Sequence, residues 1–315
     1  MIDFRYHLVS LIAVFLAIAL GIVIGTTQLN GPILDRLERQ VDSLEQDKRA
    51  LEDSTRTLQS ELDTSDEFET ALAPALVEGA LAGTGVLLVV ASEEVDSDDV
   101  EEVSALITQA GGNVTGQISL TPAYTDPSSE SSLLSYATGS GLPAGITLPD
   151  VDDAGQLVGS LLAQVLMVPS GGVAPDTAAT SSVLAGLPAL EVLTTDSDSV
   201  SPANVALVLT ADEFTGEQAA ERNETLIELL TALDAAGSGV VVAGDAASAR
   251  ANGLIGAVRD DTGTSAAIST VDNISSPAGR ISTVLALRAE TEGTSGAYGT
   301  GEDTQPVPPV RSDTP

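Results

Sequence analysis

Acidic side chains recur where an open parallel sheet would receive a ligand. Glu93 and Glu94 follow the apolar run Val86 to Ala91, Asp212 and Glu213 follow Val205 to Leu209, Asp245 follows Val240 to Ala243, and Asp272 follows Ala266 to Val271. If these runs are neighbouring strands, their acids share the carboxyl edge of one sheet. Three or more converging there could hold a hard cation such as Ca²⁺ or Mg²⁺ through oxygen ligands. The same acids also suit the first turns of the helices that follow, where a carboxylate caps N–H groups and meets the positive end of the dipole. The stretch from Glu93 to Glu102 carries seven acids in ten residues, without the spacing of an EF-hand loop, and reads as a solvated helix start.

Other chemistries lack their parts. There is no cysteine, so thiolate nucleophiles, disulfides and Cys-ligated metals are excluded. The single histidine, His7, stands beside an apolar segment, which removes Ser-His-Asp and Cys-His arrangements from the rest of the chain. Gly139, Gly141 and Gly145 follow a helical pattern and read as a turn, and no Walker-type phosphate loop occurs. The expectation is a protein that is not an enzyme and has no cofactor firmly implied.

The elements that must position the acids follow from hydrophobic pattern. Besides the four runs above, Val114 to Leu120 and Leu190 to Thr194 are weaker strand candidates. Val100–Ala110, Ala154–Met167, Glu217–Ala236, Ser248–Val258 and Pro277–Glu290 read as helices. Continuous apolar strands separated by helices predict an α/β domain over residues 79–292, a Rossmann-like, doubly wound and mostly parallel sheet covered on both faces. Residues 139–149 and 169–177 read as loops, and the Gly/Ser/Thr-rich and Pro-rich stretch 293–315 as a disordered tail.

Residues 8–27 carry no charge, enough for a helix to cross a bilayer core of roughly 30 Å. Its length, and the absence of an A-x-A site after it, favour a retained anchor (residues 1–28) over a cleaved signal. Arg5 and the α-amine lie before it; Arg36, Arg39, Lys48 and Arg49 lie after it. The short head favours a cytoplasmic N-terminus and an exported C-terminal domain in the cell envelope.

After Asn30-Gly31-Pro32, a helix-start signal, residues 29–70 hold a heptad register. Leu34, Val41, Lys48, Thr55 and Leu62 fall at a, and Leu37, Leu44, Leu51 and Leu58 at d. That predicts a coiled-coil stalk, as a parallel homodimer or with a heterotypic partner. In a homodimer Asp47 at g would face Glu52 at e, a conflict that a basic partner would remove.

With 12 basic against 46 acidic residues, and no basic residue between Arg56 and Arg222, nucleic acid is excluded as a partner, because affinity for it depends on neutralising phosphates.

Two terminal motifs are more specific. The opening M-I-D-F-R-Y-H-L-V-S with its apolar run ending G-I-V-I-G, and the stretch from Ile268 to Gly301 with I-S-T-V-D-N-I-S-S-P-A-G-R and G-A-Y-G-T-G, resemble the actinobacterial MctB family, mycobacterial copper transport protein B. The resemblance implies a role in copper homeostasis, by efflux across the outer envelope, and makes copper a ligand by resemblance alone. The residues supply little for it: copper(I) selects thiolate or thioether and copper(II) imidazole, whereas this chain offers His7, Met1 and Met167, the last in an apolar run. Neither alternating ten-residue strands for a barrel nor an ionisable residue within the anchor for a pore is present. The family also resembles proteins described as SteB, exported coiled-coil partners that regulate a peptidoglycan hydrolase through a membrane companion to promote cell separation. That role is the alternative reading.

Overall fold

The computed structural model describes residues 4–309 except 140, 144, 170 and 196–199; for residues 26–35 it describes the backbone alone. The expected end of the tail, residues 310–315, lies outside the described residues, as does the side chain of Leu34.

The chain divides into two units, residues 1–65 and 66–315. The first is helical: α1 (Phe4–Val77) has 74 residues and continues into the second unit. Asn30-Gly31-Pro32, expected to start a new helix, lies inside α1. Proline is tolerated where the helix loses one main-chain donor, at a cost of about 3 kcal/mol. Phe4–Gly25 is long and apolar enough to cross a membrane, with a mean hydropathy of 2.9; its 22 residues span about 33 Å at 1.5 Å each. Beyond it, Leu37, Val41, Leu44, Leu51, Leu58 and Leu62 are 51–70% exposed. Intrahelical pairs such as Arg49 to Glu45 at 3.0 Å and Lys48 to Glu52 at 3.5 Å occupy the charged positions. Pairs so exposed contribute only about 0.3–0.5 kcal/mol each.

The second unit is α/β. In chain order it contains β1 (Gly85–Val90), α2 (Ser97–Gln109), β2 (Asn113–Leu120), α3 (Glu130–Ala137), α4 (Ala154–Leu166), α5 (Thr177–Gly186), β3 (Leu193–Thr195) and β4 (Val205–Thr210). There follow α6 (Ala219–Ala236), β5 (Val240–Gly244), α7 (Leu254–Asp260), α8 (Thr262–Ser265), β6 (Ser269–Val271), α9 (Pro277–Thr291) and β7 (Ala297–Tyr298). The strands form one mixed sheet in the order β3-β2-β1-β4-β5-β6-β7. All neighbours are parallel except β3, which runs antiparallel to β2.

Alternation along the strands explains why both faces are covered. Leu87, Val89, Ala206, Val208, Val240 and Val242 pack with α4, α6 and α7. Val86, Leu88, Val205, Leu207, Val241 and Ala243 face the other way, toward α2 and α9 and toward Ala73 and Val77 at the end of α1. With both faces buried, the strands read as unbroken apolar runs. Helix starts are capped as their sequences dictate: Asp96 accepts from the Asp98 N–H at 2.9 Å, and Asp153 from the Gln156 N–H at 3.0 Å. Ser276 accepts from the Gly279 N–H at 3.0 Å with Pro277 in the first turn.

Three expectations need correction. The strand placed at Ala266 to Val271 is confined to Ser269–Val271. Asp261 caps α8 by accepting from the Thr264 N–H at 2.7 Å, and Ile268 still donates to the Thr264 carbonyl at 2.9 Å, so the first residues are drawn into a helical turn. The helix expected from Ser248 begins only at Leu254. Asp245 holds the preceding residues in turns, and Gly253 lies so close to the Ser248 backbone that a Cβ there would collide with it. The composition of residues 293–315 suggested disorder, yet Ala297–Tyr298 adds an edge strand beside β6 and Tyr298 is buried. Its small polar residues act as turn formers and donors, Gly293 taking φ +74° and Gly296 N donating to Ser269 Oγ at 3.1 Å.

Glu290, on α9, is nearly fully buried and accepts from the Ser269 N–H at 2.7 Å. Burial, with a smaller contribution from the charge of Asp234, pushes its carboxyl from 4.5 up to about 7. The folded state therefore holds a proton that the unfolded state has released between those values, so the contribution of Glu290 to stability is fullest below pH 4.5 and is lost as pH rises through about 7. The loss is on the order of 3 kcal/mol. Thermal unfolding of Glu290→Gln between pH 5 and pH 8 should show a flatter pH dependence than the parent; an unchanged slope would reassign the effect.

Candidate functional site

In this sheet β1 leads outward to β2 on one side, whereas β4, on its other side, leads to β5 and β6. The strand order thus reverses between β1 and β4. Open α/β sheets bind ligands outside the carboxyl ends of the strands at such a point. A cleft of about 470 Å³ lies there, floored by Ala91, Leu120 and Thr210 at the ends of β1, β2 and β4.

The residues after each strand build its walls. Ala91 N donates to the Leu209 carbonyl at 2.8 Å, extending the ladder by one residue. Ser92 Oγ then lies 2.6 Å from the Glu94 carboxylate and 3.2 Å from the Ala211 carbonyl, fixing the β1 turn against the β4 turn. Asp212 takes φ 58°, a left-handed conformation that Asp tolerates better than most residues, and its N–H donates to Asp245 Oδ1 at 3.1 Å. Ser248 N donates to the same oxygen at 2.9 Å, so Asp245 ties the β4 and β5 ends together.

The opposite wall carries two guanidinium groups. Arg222 stands 5.6 Å from the centre of the Phe214 ring and 3.9 Å from Asp126; Arg250 lies 3.6 Å from Glu213. Phe214 is held in turn by its N–H, which donates to the Asn252 carbonyl at 3.1 Å. The cleft thus mixes donors and acceptors and suits a polar ligand able to offer both.

Of the five acids proposed from the sequence to share a cation, Glu93, Glu94 and Asp212 line this cleft. Asp245 is engaged with main-chain N–H groups at its border. Asp272 is committed elsewhere: at 1% exposure it meets Arg259 Nη1 at 2.8 Å and accepts from the Thr300 N–H at 2.7 Å and the Gly301 N–H at 3.2 Å. Among the described residues no group of three or more His, Asp or Glu side chains is placed to hold a metal ion. The five therefore do not form one centre. Asp245 and Asp272 instead stabilise turns and an edge strand, through main-chain N–H groups and an arginine, and Glu213 lies beside Arg250. Missed from the sequence were Arg222 and Arg250. The signal available was the return of basic residues at Arg222 after a long stretch without any.

Met167, the methionine that copper(I) chemistry would need outside the N-terminus, is buried in the core. His7 lies in the apolar helix.

An α/β domain with a cleft at its strand-order reversal, following a helix apolar and long enough to cross a membrane, defines the class. The family whose model is described as "Copper transport outer membrane protein, MctB" matches residues 1–309, and the chain belongs to this MctB family. It is 33% identical over 312 residues to "Copper transporter MctB" of Mycobacterium tuberculosis strain H37Rv, covering 98% of this chain and 99% of that protein. It is 34% identical over 309 residues to the protein of that name from Mycobacterium leprae, covering 96% and 97%.

Proposed function

We propose that this protein serves copper homeostasis as a single-pass, membrane-anchored and non-enzymatic component of the cell envelope, its N-terminus cytoplasmic and its α/β domain exported. The observation that carries this reading is the end-to-end similarity to curated copper transporters. The chemistry of the chain favours an indirect role. It has no thiol, its core methionine is enclosed, and its carboxylates would hold copper(II) weakly. Copper then passes through an assembly that this chain anchors or regulates. A deletion strain should accumulate copper and lose growth at copper concentrations the parent tolerates, measured by elemental mass spectrometry and restored by the full chain. Wild-type tolerance and copper content in the deletion strain would overturn the reading.

The exposed leucine stripe of α1 favours a second reading. Six large apolar side chains from Leu37 to Leu62 face solvent at heptad spacing, which fits a coiled coil with a second copy or a heterotypic envelope partner. As a regulator of cell separation acting on a peptidoglycan hydrolase through a membrane companion, the protein would be needed for daughter cells to part. Deletion would then leave chained cells; normal septation would remove this role.

A further inference from the structure

A second cavity, of about 210 Å³, opens between α3, α4 and α6. We propose that it binds a small linear diamine or polyamine through its ammonium groups. This assignment is independent of the copper reading.

The wall is acidic throughout. Asp126, Glu130, Asp153, Glu221, Glu224 and Glu228 line it, and no basic side chain does so among the described residues. Arg222 reaches only Asp126, at 3.9 Å, from the side of the neighbouring cleft. Helical spacing gathers three of the acids, since Glu221, Glu224 and Glu228 occupy one face of α6 at i, i+3 and i+7. Like charges so placed oppose the helix unless something cationic covers them. Glu228 is drawn closer by Gly155, where a Cβ would collide with its carboxylate. It thereby meets Asp153 at the start of α4, and burial together with the Asp153 charge pushes its carboxyl up to about 7.

An independent observation comes from Tyr124. It is 1% exposed and lines the same cavity, and its buried hydroxyl has no hydrogen-bond partner among the described residues. Burial, and after it the nearby charge of Glu228, opposes its ionisation. Buried hydroxyls in native folds nearly always have partners, and an ammonium group of the proposed ligand would supply one here.

The form of the cation follows from the arrangement. No three of these carboxylates are placed to hold a metal ion; they are spread around the wall. An ammonium group donates three hydrogen bonds and needs no close cage. Two or more such groups joined by methylenes reach separated carboxylates and lay their chain against Pro127, Leu133 and Ala154. The space matches roughly seven waters at about 30 Å³ each, enough for a short alkyl diamine.

The test is calorimetric titration of the full chain in detergent micelles with putrescine and spermidine. Because the protein carries a formal charge of −34, any polycation will be attracted, so the variants decide. Saturable binding at one site is expected. Glu224→Gln with Glu228→Gln should weaken it by about tenfold or more and Tyr124→Phe by about threefold. Glu101→Gln with Glu302→Gln, away from the cavity, should change it less than about twofold. Should the Glu224/Glu228 variant lose its fold by circular dichroism, Glu221→Gln supplies the same comparison. Absence of saturable binding, equal losses in the cavity and control variants, or Mg²⁺ binding at this site more tightly than spermidine would each overturn the proposal.

Discussion

Replacing Asp272 with alanine is expected to destabilise the α/β unit by about 3–5 kcal/mol, the usual consequence of removing one partner from a buried ion pair. Asp272 is nearly inaccessible and meets Arg259 at 2.8 Å, while the guanidinium also donates to Thr270 Oγ1 at 2.9 Å and to the Tyr298 carbonyl at 3.1 Å. The other face of the carboxylate accepts from the N–H groups of Thr300 and Gly301. One acid therefore holds both the arginine and the turn after β7. Its loss leaves a guanidinium without its counter-charge and two main-chain donors without an acceptor. Denaturant unfolding of the full chain should show the reduced midpoint, and hydrogen exchange should show protection lost first over residues 297–301. Removing Arg259 as well should recover part of the loss, because the double variant no longer encloses an uncompensated charge. An unchanged midpoint together with undiminished protection of β7 would mean that the pair does not secure this edge. The same variant bears on cation binding: a carboxylate already neutralised by arginine is a poor hard-cation ligand, so Ca²⁺ titration should not distinguish the variant from the parent.

What could be read in the residues, and what could not, divides along one physical line. The runs VLLVV, VALVL and VVVA announced buried strands because both of their faces are covered, and the structure places β1, β4 and β5 there. Patterns that depend on local composition were less reliable. The stretch from Gly293 onward has the makeup of a solvated tail, yet it pairs with the sheet through contacts to Asp272, Glu290 and Ser269 that are distant in sequence or lie across a turn. The shared position of acids after successive strands suggested one centre. Which of them would turn toward a main-chain N–H, as Asp245 does, or toward an arginine, as Asp272 does, depends on neighbours brought together only by folding. Tyr124 gave no signal at all. An isolated aromatic between Pro122 and Pro127 looks like ordinary core until its hydroxyl is found enclosed without a partner.

Substituting both Leu44 and Leu51 with aspartate should convert the proposed coiled coil to monomers. Both leucines occupy d positions of the heptad register and are exposed along α1. A leucine taken from water contributes about 1.5–3 kcal/mol, so a parallel dimer burying both on each helix loses about 6–12 kcal/mol of apolar burial. Four carboxylates would also be brought to the seam, where desolvation opposes them further. That exceeds what the remaining heptads, weakened by Lys48 and Thr55 at a, can supply. Sedimentation of the segment 30–67 at high micromolar concentration should find an associated parent and a monomeric variant. A parent that stays monomeric alone would rule out the homodimer and direct attention to a heterotypic partner, consistent with the Asp47 and Glu52 charges that would otherwise face each other. In cells, the full chain carrying both substitutions should retain its anchor and fold yet fail to complement the deletion. Full complementation would separate the leucine stripe from the function altogether.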